Sequence, residues 1–229
     1  ALQVAAGASH TCALMSDGTV KCWGANSAGQ LGNGTVGAGG ATPVTVLNND
    51  GSTLTGAVFI AAGGNHTCAV VVGGGVKCWG SNASGELGNP AAVGNSPKAV
   101  DVLTPNAGAA LKDTVSLAAG GSHTCAVLVS GQAACWGSNA SGQLGAPSAG
   151  SMSGLAVTVQ ATSGGPPLMN VNALTAGLSH TCALVAGGGV KCWGSNATGQ
   201  LGNASAGVSA TTPVDVTGLA SGAVALAAG

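Results

Sequence analysis

The chain has 229 residues, 42 of them glycine, with 5% charged and 2% aromatic residues and a formal net charge of −1 at pH 7. Its cations are five lysines and Phe59 is its one phenylalanine, so it has neither the basic footprint of a nucleic-acid binder nor much to attract an anionic membrane surface. Charge this sparse also removes the repulsion that keeps soluble domains apart, while the apolar stretches are too short and too glycine-rich to insert into a bilayer.

In chain order, an apolar run at 2–6 leads into Ala-Ala-Gly and reads as a short strand. Ser9-His10-Thr11-Cys12-Ala13-Leu14 follows, then a loop, then Cys22-Trp23-Gly24-Ala25-Asn26 and Gly29-Gln30-Leu31-Gly32. A Gly/Ala linker at 33–42 separates these from a further run, Pro-Val-Thr-Val, at 43–46. The same succession recurs, with opening runs at 58–62, 115–119, 171–176 and 224–228, linkers at 89–96, 146–153 and 203–211, and closing runs at 99–102, 156–159 and 213–216. His10, His66, His123 and His180 stand 56, 57 and 57 residues apart, which divides the chain into repeats at 1–57, 58–114, 115–171 and 172–222, with the start of a further repeat at 223–229. A fixed period of this size marks units that bury their faces against neighbours. Short β-branched runs punctuated by Gly, Asn, Ser and Pro, with no 3.6-residue periodicity, predict an all-β fold. Four strands per unit are the blade of a β-propeller, and four such repeats are visible.

All eight cysteines fall in this repeat, ten residues apart in each copy. Opposing Cys12 to Cys22 sets Leu14 opposite Val20 and Met15 opposite Thr19, leaving a three-residue loop that ends at Gly18. The same arithmetic ends the other loops at Gly74, Gly131 and Gly188, where a three-residue hairpin needs a left-handed residue. Cysteines directly opposed at a non-hydrogen-bonded pair are close enough to bridge. Disulfides are therefore expected for Cys12–Cys22, Cys68–Cys78, Cys125–Cys135 and Cys182–Cys192. Zinc is the competing reading of a His/Cys cluster, but its ligands usually come in pairs two to four residues apart, and the Cys-x-x-Cys-His of haem attachment is absent. Neither metal nor cofactor is expected. Four disulfides place the chain in an oxidising compartment, secreted or on a cell surface.

The segments Gly-x-x-His-Thr-Cys-Ala-Leu and Val-Lys-Cys-Trp-Gly-x-Asn-x-x-Gly-Gln-Leu-Gly resemble the repeat of the regulator of chromosome condensation family. The resemblance implies propellers, typically of seven blades, in a family that includes nuclear exchange factors for a small GTPase, secreted bacterial proteins and a secreted β-lactamase inhibitor. The cysteine pairs are similar to those of the secreted bacterial members. Exchange-factor activity rests on that analogy alone and conflicts with an oxidising location.

No catalytic residue is assigned. The six acids are scattered, and a Ser-His pair present in every repeat, as in Ser9-His10, satisfies the same hydrogen bond each time rather than forming one asymmetric constellation. The Trp after each second cysteine points away from the disulfide and is expected to pack between blades. The Asn of Trp-Gly-x-Asn has two readings, a turn-forming side chain and, in three copies, a glycosylation acceptor. Acceptor sequons occur at Asn33, Asn65, Asn82, Asn139, Asn196 and Asn203.

Four repeats are fewer than seven, and the run at 2–7 is echoed at 224–229, so one strand is duplicated. A spare strand with an open edge templates pairing with another molecule. With no initiator Met or signal-like segment, the chain reads as a processed mature form or an excised portion of a longer one. The expected function is structural: a subunit of a self-assembling extracellular fibre, its propeller completed by a neighbouring chain in a head-to-tail homopolymer. The alternative is a seven-bladed secreted propeller, or part of one, that binds a protein partner at its rim loops as an enzyme inhibitor or adhesin.

Overall fold

Alternation along His-Thr-Cys-Ala puts His and Cys on one face of a strand and Thr and Ala on the other, so each copy has two faces to bury. The computed structural model describes residues 1–229 and resolves the repeats into four antiparallel four-stranded sheets. The first comprises β1 (Gln3–Ala6), β2 (His10–Leu14), β3 (Val20–Asn26) and β4 (Gly37–Thr45); the second, β5 (Ala57–Ala62), β6 (His66–Val71), β7 (Val76–Gly80) and β8 (Ser96–Asp101). The third comprises β9 (Thr114–Ala119), β10 (His123–Leu128), β11 (Ala133–Ser138) and β12 (Met152–Thr158); the fourth, β13 (Val171–Ala176), β14 (His180–Val185), β15 (Gly189–Ser195) and β16 (Ser209–Asp215). Within each sheet the strands pair in chain order, and β1, β5, β9 and β13 are the innermost, each beside the next. The result is an arc of four propeller blades stacked face to face.

The central hairpin of every blade has the expected register. Cys12 opposes Cys22 and Leu14 opposes Val20, while the Met15 N–H donates to the Thr19 carbonyl at 2.9 Å. Gly18, Gly74, Gly131 and Gly188 close the four loops with φ of 76°, 75°, 76° and 80°, a region open to glycine without steric strain. A disulfide joins the opposed cysteines of each blade across a Cα–Cα distance of 4.1 Å.

The core lies between blades rather than within them. Cys12, Cys22 and Leu31 of the first blade form one cluster with Ile60, Ala69 and Trp79 of the second. Cys68, Cys78 and Leu87 pack in the same way on Leu117, Ala126 and Trp136, and Cys125, Cys135 and Leu144 on Ala183 and Trp193. Each sheet thus presents a disulfide face to the following blade and a tryptophan face to the preceding one.

Two elements differ from the sequence reading. The outer strand begins before its closing apolar run, at Gly37, Ser96, Met152 and Ser209, so most of the first linker and the end of the fourth are strand rather than rim loop. Register shifts after Cys22, Cys78, Cys135 and Cys192 absorb the extra residues and hide the strand from a period-2 pattern. The run at 224–228 has strand chemistry but joins no ladder, because no second strand of its own blade lies beside it.

Candidate interaction faces

The side chains that recur in every repeat meet across the blade boundary. His10 Nε2 lies 2.7 Å from Thr67 Oγ1, His66 Nε2 2.7 Å from Thr124 Oγ1, and His123 Nε2 2.9 Å from Thr181 Oγ1. Thr181 Oγ1 donates to the Gln143 carbonyl at 2.9 Å and therefore accepts from His123 Nε2–H. The indole N–H groups are satisfied across the same boundary: Trp79 donates to the Gln30 carbonyl at 3.0 Å, Trp136 to that of Glu86 at 2.8 Å and Trp193 to that of Gln143 at 2.9 Å. The Nδ1 atoms of His10, His66 and His123 have no hydrogen-bond partner, so protonating them would bury a donor without an acceptor. Burial accordingly holds His10 and His123 down to about 4 and His66 to about 3, the last also depressed by the like charges of His123 and His10.

A glycine before each histidine lets the blades approach this closely. A Cβ on Gly120 would overlap both the His123 ring and the Gly177 carbonyl of the next blade. Gly120→Ala is expected to destabilise the protein by about 3 kcal/mol through overpacking. Gly154→Ala, whose Cβ meets nothing within 4 Å, is the control for loss of glycine alone. Equal denaturation midpoints for the two variants would refute the close-approach account.

At the two ends of the arc this interface is present in halves. On the first blade, Thr11 and Trp23 have no blade before them and are half-buried, whereas Thr67, Trp79 and their later counterparts are fully buried. Val4 is 61% exposed, against 1% for Ile60 and 6% for Leu117 at the same position of the repeat. On the fourth blade, His180 has no threonine opposite its ring, and the Gln200 carbonyl has no indole. The half-buried His180 is depressed by burial like the others. One end therefore displays the tryptophan half of a blade interface and the other the histidine half.

A family model described as Regulator of chromosome condensation (RCC1) repeat matches residues 2–30, 57–86, 115–143 and 171–200, and a second model of that description matches 17–70. The chain belongs to this family. Among its relatives, the ultraviolet-B receptor UVR8 of Arabidopsis thaliana is 34% identical over 204 residues, 88% of this chain and 43% of the receptor. The probable E3 ubiquitin-protein ligase HERC6 of Homo sapiens is 32% identical over 205 residues, 87% of this chain and 19% of the ligase. The chain thus spans less than half the length of either relative. Among solved structures, human WBSCR16 superposes with a TM-score of 0.80 at 24% identity, covering 99% of this chain and 55% of that one. Yeast RCC1 (Prp20), solved bound to Kap60, gives 0.77 at 21% identity over 94% of this chain and 48% of that one. Both share the RCC1 propeller fold.

In the RCC1 repeats of this chain every cysteine is in a disulfide, which removes the thiolates a metal would need. The repeat asparagines are turn formers. Asn82 Nδ2 donates to the Ala92 carbonyl at 2.6 Å and its Oδ1 accepts from Leu87 N–H at 3.0 Å; Asn139 and Asn196 do the same with Gly150 and Leu144, and with Gly207 and Leu201. Asn203 Nδ2 donates to the Asp215 carbonyl at 2.8 Å. Of the six sequon asparagines, Asn33 and Asn65 alone keep Nδ2 unbonded, since their Oδ1 atoms make the contacts, with Thr35 and with Gln30. The residues that sequence reasoning missed are the threonines of His-Thr-Cys and the carbonyls of Gly-Gln-Leu-Gly. Strand alternation carried the signal for threonine: adjacent His and Thr must face opposite neighbours.

Proposed function

We propose that the chain is a secreted structural subunit that assembles head to tail into an extracellular fibre, joined at its terminal strands. The observation that carries this reading is the recurrence of one blade-to-blade contact three times within the chain, which makes the repeat a unit that stacks on copies of itself in series. A contact between different patches of the same molecule is heterologous and builds a ring or an open filament. The four disulfides suit an oxidising environment, and sparse charge offers little repulsion between copies. The rim linkers offer no Trp, Tyr, Phe or Arg to anchor a different partner. Electron-microscope imaging of native, unconcentrated material is expected to show filaments with a regular axial repeat. Discrete rings or isolated arcs would overturn the fibre and redirect attention to a protein partner.

A further inference from the structure

Six asparagines stand in glycosylation sequons on a chain with few charges, and hydrogen bonding separates one of them from the rest. An N-linked sugar needs an amide nitrogen open to solvent, a hydroxyl within reach on the third residue, and room for a bulky group on the folded chain. Asn82, Asn139, Asn196 and Asn203 fail at the nitrogen: each Nδ2 donates to a main-chain carbonyl at 2.6–2.8 Å, and each Oδ1 accepts from a main-chain N–H. Asn65 fails at the hydroxyl. Its Thr67 is wholly buried, with Oγ1 2.7 Å from His10 Nε2 across the blade boundary. Asn33 meets all three conditions. In Asn33-Gly34-Thr35 the exposed Thr35 donates to Asn33 Oδ1 from its hydroxyl at 2.9 Å and from its N–H at 3.3 Å, and Asn26 Nδ2 donates to the same oxygen at 3.4 Å. This closed turn uses the carbonyl end of the amide and leaves Nδ2 with neither a partner nor cover. At the same place in two other repeats, Asn89 and Asn203 turn the nitrogen inward, donating to the Asp101 and Asp215 carbonyls at 2.8 Å each. Asn89 belongs to a blade with a neighbour on both sides and is part-exposed like Asn33, so access to this loop is a property of the blade rim and not of the blade's place in the chain.

We propose that Asn33 carries an N-linked glycan and that the four clamped asparagines do not; the site rests on the secreted location above and needs no contact between copies. In the transfer, Asn33 Nδ2 attacks the anomeric carbon of an oligosaccharide carried on a lipid pyrophosphate. The C–N bond forms as the C–O bond to the pyrophosphate breaks, the lipid pyrophosphate leaves with the bonding electrons, and the displaced amide proton passes to a base of the transferase. The turn is pinned to the second blade, since the Gly34 N–H donates to the Pro97 carbonyl at 2.8 Å, and this also withholds the Gly34 nitrogen from the Asn33 side chain. The sugar stands over the outer seam between the first two blades and supplies hydration that a chain with 5% charged residues does not.

Peptide mass spectrometry of the native chain, with N-glycans released enzymatically in heavy-oxygen water, tests the site. Release turns a glycosylated asparagine into an isotope-labelled aspartate, which separates it from spontaneous deamidation of the Asn33-Gly34 pair. Asn33 is expected to carry the label, and Asn82, Asn139, Asn196 and Asn203 to remain asparagine. In chains expressed in the source organism, Thr35→Ala, which keeps Asn33 and removes the hydroxyl, is expected to abolish the sugar at Asn33, whereas Thr35→Ser retains it. An Asn33 free of sugar in the native chain would overturn the inference, and intact disulfides in the same sample would leave the extracellular location standing. Label on any clamped asparagine, or a sugar at Asn33 that survives Thr35→Ala, would overturn it as well.

Discussion

Acidifying the protein from pH 7 towards pH 4 is expected to unfold it, with the loss of stability beginning near pH 6.5. Three histidines are buried neutral at the blade boundaries, and their folded-state values of about 4, 3 and 4 for His10, His66 and His123 lie below the ordinary 6.5. Above pH 6.5 neither the folded nor the unfolded chain protonates them, and they leave stability unchanged. Between pH 6.5 and about 4 the unfolded chain takes up protons that the folded chain refuses, so stability falls as pH falls. Each histidine contributes a slope of up to ~1.4 kcal/mol per pH unit. Three together give ~4 kcal/mol per unit, against a typical total stability of about 5–15 kcal/mol. Two pH units are thus enough to exhaust much of the fold. Denaturant midpoints at pH 7, 6, 5 and 4 measure the effect. A midpoint that holds constant from pH 7 to pH 4 would show that the imidazoles are solvated and that the His-Thr contacts open freely.

Reduction of the disulfides is expected to have the other large effect, and in a definite order. Each bridge closes a loop of sequence separation 10 and stabilises by ~2–3 kcal/mol in the chain-entropy model, so the four approach ~10 kcal/mol. In the first three blades both sulfurs are covered by the next blade, and Cys12, Cys22, Cys68, Cys78, Cys125 and Cys135 are all 0% exposed. Cys182 and Cys192, at 8% and 3%, have no tryptophan-bearing blade over them, and Ala223 and Leu226 pack against their cluster instead. Mild reductant with a thiol-alkylating agent is therefore expected to label Cys182 and Cys192 first, with the other six appearing together as the chain unfolds. Simultaneous labelling of all eight would contradict a core that sits between blades. Replacing Cys125 and Cys135 together by alanine is expected to lower stability by ~2–3 kcal/mol while retaining the arc.

The sequence by itself determined the hairpin at the centre of each blade. Cysteines ten residues apart with glycine at the loop end admit one register, and both the bridge and the turn are local constraints that need no knowledge of neighbours. It also determined that blades repeat, because the period is written in His10, His66, His123 and His180. The asparagine clamp was half legible. Its turn chemistry was evident from Asn between glycines, but the partner carbonyls of Ala92, Gly150 and Gly207 lie within variable linkers that carry no pattern. The tertiary structure alone decided what the conserved-looking chemistry of the repeat is for. His66 meets Thr124 at a separation of 58 residues and Trp136 meets the Glu86 carbonyl at 50, distances in sequence set by how one sheet stacks on the next. Periodicity shows that a strand has two faces to bury, but the rotation between sheets chooses which atom of the neighbouring blade each face meets. For the same reason only the stacked arc shows that Thr124 and Trp136 of one blade, and His66 and the Glu86 carbonyl of the blade before it, are the two halves of a single interface.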